Sequence, residues 1–145
     1  FADGTFDAVL MTEVLEHLID YPRSLEEIVR VLKPEGRAVI TTPSRLSPLN
    51  AAFHWKARRR RYAFHEHVTE LSPGEFLEAM RRGFRDVELS FANFLVPYPL
   101  DVLAEKVVSH RAARALKWME RTCQRLPLVQ RAGWTMIATA KGPRR

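Results

Sequence analysis

Apolar residues in the first part of the chain follow two different periods. Residues 6–11 end in a continuous apolar run, which is typical of a strand buried on both faces of a parallel sheet. Ser24 and Glu27 have the spacing of a helix capping box, and a helical stripe of apolar residues follows them. Residues 37–42 then favour a second strand. The order strand, helix, strand predicts a right-handed βαβ unit.

The second half of the chain predicts a helix and a strand, a long helix and a final strand. Ser72 and Glu75 repeat the capping-box spacing, with a proline in the first turn, and predict the start of a helix. Residues 87–91 alternate between apolar and polar, as half-buried strands do. A long helix with an apolar stripe is predicted over residues 100–126, and a last strand over residues 134–140.

The composition is that of one globular domain, because 46% of the 145 residues are hydrophobic and 28% are charged. The single cysteine, Cys123, excludes an internal disulfide and a thiol-rich zinc site, so we expect a cytoplasmic protein. Charged residues interrupt every apolar run before it reaches the roughly 20 residues that a membrane-spanning helix needs. The chain begins at Phe1, with neither an initiator methionine nor a signal peptide, and we expect it to be cut from a longer gene product.

Four segments of the chain carry motifs of one known family. Residues 1–7, FADGTFD, look like the lead into that family's fourth strand, and residues 12–18, TEVLEHL, are similar to its xEVLEHV stretch. Residues 30–37, RVLKPEGR, resemble its RVLKPGGR turn, with Glu35 in place of a glycine, and residues 66–75 resemble the segment that leads into its last crossover helix. With these segments the chain resembles the class I S-adenosylmethionine-dependent methyltransferases of type 11.

The resemblance implies an α/β fold, namely the C-terminal part of a Rossmann-like methyltransferase sheet. Such a fold would contain a βαβ unit, a helix and strand, a helical insertion or lid at about residues 92–132, and a last antiparallel strand. Residues 1–145 would form one partial domain, because the family's glycine-rich loop and the acidic residue ending its second strand are not in this sequence. We therefore expect a fragment that binds the cofactor poorly and exposes residues 6–11 as an apolar sheet edge.

The same resemblance implies a cofactor site directly after the first strand. In open α/β sheets, ligands bind beyond the carboxyl ends of the parallel strands. The position of Thr12 would contact the methionine part of S-adenosylmethionine, with Glu13 and Val14 beside it and His17 nearby. For Glu16 and His17, capping or pairing on the following helix is an equally good interpretation.

Three residues near the end of an irregular segment are candidate catalytic bases. Residues 44–69 show neither a strand nor a helix period and predict a long functional loop, in which His65, Glu66 and His67 come last. Methyl transfer is an in-line displacement, which needs a base only when the acceptor must lose a proton. His65 and His67 would share one face of a strand, but the sequence has no strong pattern for a third metal ligand. We therefore expect no metal site.

The charge pattern keeps a second class of function open. The net charge is +6, and much of the excess lies in residues 56–61, KARRRR, and along residues 111–131. Charge runs of this kind are usually solvated, so we expect methyl transfer to a small-molecule acceptor, with peripheral membrane contact left open and nucleic acid not expected. The alternative is a non-catalytic module that binds RNA or an anionic membrane and retains half of the methyltransferase fold.

Overall fold

The computed structural model describes residues 1–52, 67–93, 109–126, 129 and 132–144. The chain order begins with strand β1 (Phe6–Thr12), a 3-10 turn (Leu15–His17), helix α1 (Tyr21–Val31) and strand β2 (Leu32–Pro43). Helix α2 (Pro73–Gly83), strand β3 (Phe84–Ala92), helix α3 (His110–Arg125) and strand β4 (Thr135–Pro143) follow.

The four strands form one mixed sheet in the order β1-β2-β4-β3. Strands β1 and β2 are parallel, with Leu10 beside Val39 and Thr12 beside Thr41. Strand β4 runs antiparallel to both of its neighbours, β2 and β3. This topology confirms the predicted α/β fold with a βαβ unit and an antiparallel last strand. It also makes β1 an edge strand of the described sheet.

One face of the sheet carries the hydrophobic core. Ala38 and Ile40 of β2 and Met136 of β4 are fully buried there, together with the apolar residues of the two crossover helices. The helices contribute Leu25, Ile28, Phe76 and Met80. Leu15 is also fully buried, so the 3-10 turn after β1 is fixed to the core. The core therefore holds the turn that follows β1 in one position.

The opposite face of β1 is open. Leu10 is 71% exposed, and Val9 and Met11 on either side of it are half-buried. The prediction that residues 6–11 are buried on both faces is therefore wrong for the described residues, because the core packs only against the face that carries Val9 and Met11. The expectation that this strand forms an exposed apolar edge of the sheet is confirmed.

Helix α1 begins earlier than its sequence suggests. The N-cap is Asp20, whose carboxylate accepts a hydrogen bond of 3.2 Å from the backbone N–H of Arg23. Ser24 lies inside the first turn and donates to the carbonyl oxygen of Asp20 at 3.3 Å. Glu27 bonds the guanidinium of Arg30 at 2.7 Å and not the backbone. The predicted capping box at Ser24 and Glu27 is therefore wrong, because an aspartate four residues upstream supplies the cap.

Helix α2 has the predicted capping box. The Ser72 hydroxyl accepts from the backbone N–H of Glu75 at 3.4 Å, and the Glu75 carboxylate accepts from the backbone N–H of Ser72 at 2.7 Å. At the other end of the helix, a Cβ placed on Gly83 would lie 2.8 Å from Cγ2 of Val29. Gly83 therefore allows α2 to pack closely against α1.

Helix α3 occupies the later part of the predicted long helix. Its N-cap is Ser109, whose extended ψ of 149° ends any continuous helix at that point, so one unbroken helix over residues 100–126 is wrong. Residues 94–108 lie outside the described residues, and a lid role for residues 92–132 stays a prediction. In the parts of the chain that are described, no helix is both long and apolar enough to cross a bilayer.

Candidate functional site

The carboxyl end of β1 turns sharply at Glu13. This residue has a φ of 51°, in the left-handed region that residues with a side chain rarely adopt. The Glu13 backbone N–H donates to both the carbonyl oxygen and the hydroxyl of Thr41, each at 3.1 Å. The Thr41 hydroxyl donates in turn to the Glu13 carboxylate at 2.9 Å. Three hydrogen bonds to one residue of β2 therefore hold this strained conformation, and such strain is common at functional sites.

The electrostatics of the turn centre on the Glu13 carboxyl group. Its pKa is raised above the ordinary value, mainly because burial disfavours the charged form. The hydrogen bond from Thr41 opposes this rise in pKa, the nearby Glu16 carboxylate adds to it, and His17 lowers it. A carboxyl group with a perturbed pKa at the carboxyl end of a parallel strand is typical of functional sites.

The four candidate cofactor residues all lie on this turn. Thr12 ends β1 and is exposed, and Val14 is 41% exposed. His17 ends the 3-10 turn with its side chain 41% exposed. Thr12, Glu13 and Val14 therefore form an accessible edge beyond the sheet, as ligand binding at the end of a parallel strand requires.

Glu16 is the buried centre of the neighbouring segment. It is 2% exposed, and one of its carboxylate oxygens, Oε2, accepts from the Thr42 hydroxyl at 3.1 Å. The other carboxylate oxygen, Oε1, lies 3.8 Å from Nε2 of His17. Pairing between Glu16 and His17 is therefore present, whereas the cap of α1 is Asp20. The sequence left a functional role for Glu16 and its pairing with His17 as equal alternatives, and the structure shows the pairing.

His67 is the one candidate base among the described residues. Its ring lies 5.1 Å from the ring of His17, centroid to centroid, at an interplanar angle of 71°. His65 and Glu66 lie outside the described residues, so their roles stay predictions. The structure thus places His67 beside the predicted cofactor turn, although the two histidines are 50 positions apart in the sequence.

The chain beyond β2 adds a buried polar group to this end of the sheet. Ser44, Ser47 and Asn50 are each no more than 1% exposed. The Asn50 amide donates to the carbonyl oxygen of Ser44 at 3.1 Å, and the Ser47 hydroxyl donates to the carbonyl oxygen of Ala132 at 3.1 Å. The region beyond the ends of β1 and β2 is therefore more polar than the core beneath the sheet.

Solved structures share this fold. A methyltransferase dependent on S-adenosylmethionine from Thermotoga maritima aligns with a TM-score of 0.64 and 19% identity, over 98% of this chain and 58% of that one. A second such enzyme, from Archaeoglobus fulgidus, aligns with a TM-score of 0.60 and 17% identity, over 97% of this chain and 61% of that one. A phosphoethanolamine methyltransferase from Haemonchus contortus, solved with S-adenosylhomocysteine, aligns with a TM-score of 0.56 and 20% identity, over 97% of this chain and 35% of that one. The fold is that of S-adenosylmethionine-dependent methyltransferases.

Sequence similarity is concentrated in the first part of the chain. Residues 1–40 match the family described as a methyltransferase domain. The ubiquinone/menaquinone biosynthesis C-methyltransferase of Geotalea uraniireducens is 41% identical over 58 residues, 38% of this chain and 24% of that protein. The 2-phytyl-1,4-naphtoquinone methyltransferase of Trichormus variabilis is 50% identical over 40 residues, 28% of this chain and 18% of that protein. The chain matches about a quarter or less of these relatives' length. Residues 1–40 therefore match a methyltransferase-domain family, and the fold of the chain is the one that S-adenosylmethionine-dependent methyltransferases share.

Proposed function

We propose that this chain is part of an S-adenosylmethionine-dependent methyltransferase and that the turn after β1 holds the methionine end of the cofactor. The observation that carries the proposal is the strained turn at Glu13, held by Thr41 at the carboxyl end of a parallel strand. This is the position at which open α/β sheets bind ligands. The family match of residues 1–40 and the S-adenosylhomocysteine bound to the structural neighbour from Haemonchus contortus support the choice of cofactor.

The described residues fit one side of the cofactor. Exposed Thr12 and half-exposed Val14 offer backbone groups and apolar surface, and neither is needed to fill the core. When bound, S-adenosylmethionine supplies an electrophilic methyl group on a positively charged sulfur. The 145 residues contain no G-x-G-x-G loop, which would provide much of the binding energy in the complete family fold. Losing two charge-assisted hydrogen bonds costs about 3–6 kcal/mol, so we expect weak binding by this chain alone.

We further propose that the methyl acceptor is a small aromatic molecule of the quinone type. The relative from Geotalea uraniireducens is named a ubiquinone/menaquinone biosynthesis C-methyltransferase, and the relative from Trichormus variabilis is named a 2-phytyl-1,4-naphtoquinone methyltransferase. Methylation at carbon or oxygen of such a ring requires the acceptor to lose one proton. An imidazole nitrogen of His67, beside His17 and next to the cofactor turn, is the described group available to accept it. His65 and Glu66 stay as alternative bases, and the cytoplasm stays the proposed location.

Contact with an anionic membrane is a second candidate function, favoured by helix α3. Trp118 is 68% exposed and Met119 is 44% exposed on this helix. Its basic residues include the exposed Arg111, Arg114, Lys117, Arg121 and Arg125. An amphipathic helix with exposed aromatic and basic residues is suited to a lipid surface. Binding to vesicles with and without anionic lipid, compared with a Trp118→Ala variant, tests this function.

An NMR titration with S-adenosylhomocysteine tests the methyltransferase proposal. We expect shifts at the backbone amides of residues 12–17 and none along α2. Thr41→Val should weaken binding about fivefold, equivalent to one hydrogen bond of about 1 kcal/mol. Thr139→Val, which removes a half-buried threonine from β4, is the matched control and should leave the affinity unchanged. The absence of shifts at residues 12–17 at millimolar ligand, or equal affinity for both variants and the original chain, would contradict the proposal.

A further inference from the structure

Three side chains beside the cofactor turn converge on one point. Glu16 and His17 come from the 3-10 turn, and His67 comes from the segment that leads towards α2. One ligand atom from each lies within 4.8 Å of the other two. We infer that Glu16, His17 and His67 form a binding site for a divalent transition metal, with zinc as the preferred ion. The inference concerns metal binding alone and does not depend on the proposed methyl transfer.

Backbone hydrogen bonds hold the two histidines opposite each other. The carbonyl oxygen of Glu16 accepts from the backbone N–H of Val68 at 2.9 Å and of Thr69 at 3.0 Å. The Thr69 hydroxyl donates to the carbonyl oxygen of Leu18 at 2.8 Å. These three bonds fasten the residues directly after His67 to the residues around His17. Because these bonds fix the backbone around His17 and directly after His67, they hold the two imidazole rings close together.

The geometry is close to that of a metal site. Zinc binds histidine nitrogen and carboxylate oxygen at about 2.0–2.2 Å, which puts neighbouring ligand atoms about 3.4 Å apart in a tetrahedron. His17 Nε2 and Glu16 Oε1 are already 3.8 Å apart. The largest separation in the set is within 4.8 Å, so closure needs side-chain rotations that move a ligand atom by about 1 Å.

Glu16 has the environment of an oriented metal ligand. Its Oε2 accepts from the Thr42 hydroxyl, so its Oε1 remains directed at His17. Such a second hydrogen bond fixes the orientation of a ligating carboxylate. In the parts of the chain that are described, the basic side chain within 4 Å of this 2% exposed carboxylate is the imidazole of His17, with no lysine or arginine. A buried carboxylate is costly unless a positive charge lies beside it, and a bound metal ion would supply that charge.

The ligand set selects the class of ion. Two imidazoles and one carboxylate suit zinc and related transition metals, whereas magnesium and calcium favour sites made of oxygen atoms. Three protein ligands also leave one coordination position for water or another oxygen ligand. An imidazole nitrogen bound to a metal cannot accept a proton. The ligand role of His67 and its role as a base are therefore mutually exclusive at that nitrogen, and metal titration separates them.

Zinc titration of the 145-residue chain by calorimetry tests the site, in a Cys123→Ser background so that the thiol does not contribute. We expect one zinc ion per chain, and His67→Ala or His17→Gln should each weaken its binding about tenfold or more. His110→Gln is the matched control, because it removes a histidine on α3 that is not one of the three ligands. Equal zinc affinity in His67→Ala, His17→Gln and the unmodified background would overturn the inference.

Two further readouts keep the test decisive if a variant folds poorly. In the background protein, zinc should shift the imidazole NMR signals of His17 and His67 while leaving those of His110 in place. Zinc should also raise the melting temperature, because an ion that binds only the folded chain stabilises it. Millimolar magnesium should not displace the zinc. Imidazole signals that do not change when zinc is added would overturn the assignment. Displacement of the zinc by millimolar magnesium would also overturn it.

Discussion

The Thr41 hydroxyl both accepts a hydrogen bond from Glu13 and donates one to it. It accepts from the Glu13 backbone N–H at 3.1 Å and donates to the Glu13 carboxylate at 2.9 Å. These bonds connect the carboxyl end of β1 to β2 at the point where the chain turns with a positive φ. The strained turn and the raised pKa of Glu13 therefore depend on one side chain from the neighbouring strand.

Replacing Thr41 with valine should destabilise the chain and raise the pKa of Glu13 further. The shape of the side chain is nearly unchanged, but a partly buried carboxyl loses its donor, which costs about 1–3 kcal/mol. The hydrogen bond from Thr41 lowers the pKa of Glu13, so its removal leaves burial less opposed. Urea unfolding measures the first effect, and carboxyl NMR signals followed against pH measure the second. If the Glu13 pKa stays the same while Thr139→Val shows equal destabilisation, the link between the two residues is wrong.

The capping box of α2 should make stability depend on pH through Glu75. Hydrogen bonds from Ser72, and then the charge of Arg45, hold the pKa of Glu75 below its ordinary value. A carboxyl group with a lowered folded-state pKa adds stability above its unfolded pKa, and this stability is lost as the pH falls through the folded pKa. Between pH 6 and pH 3, the melting temperature should fall further for the original chain than for Glu75→Gln. Glu88→Gln, at an exposed position of β3, is the control and should follow the original chain.

The sequence predicted those elements whose signals are local. The capping box of α2 joins residues only three apart, and the βαβ order follows from hydrophobic period, so both were confirmed. The start of α1 was misplaced because two capping signals overlap there, and the carboxylate of Asp20 outcompetes the hydroxyl of Ser24 as the N-cap. Spacing alone does not reveal which of two nearby caps the backbone will use.

The sequence predicted only one part of the candidate site. Residues 12–17 form a contiguous stretch, and their motif pointed to the end of β1. The approach of His67 to His17 depends on backbone N–H groups that bond the carbonyl oxygen of Glu16, and a carbonyl oxygen carries no sequence signal. The pattern His-x-His therefore suggested His65 as the natural companion of His67, whereas the described contact is with His17.

Gly83 should be intolerant of a side chain. A Cβ at this position would lie 2.8 Å from Cγ2 of Val29, so Gly83→Ala must shift either helix α2 or the Val29 side chain. Overpacking of this kind costs about 1–3 kcal/mol. Gly74→Ala on the same helix is the matched control, because a Cβ there meets nothing within 4 Å. We expect the control to be neutral or stabilising by about 0.4–1 kcal/mol, measured by urea unfolding. Equal effects at the two glycines would show that helix packing is not the cause.

The open edge at β1 should make the chain self-associate. Leu10 is 71% exposed on an edge strand that is paired only with β2 among the described residues, and exposed apolar edges are templates for strand pairing between molecules. Sedimentation velocity across a concentration series should show dimers or larger species, and Leu10→Lys should shift the distribution towards monomer, because a charge on an edge strand opposes pairing. Leu46→Lys is the matched control, since Leu46 is 64% exposed but lies after β2. A monomer at all concentrations, or an equal response to both substitutions, would mean that the β1 edge does not drive association.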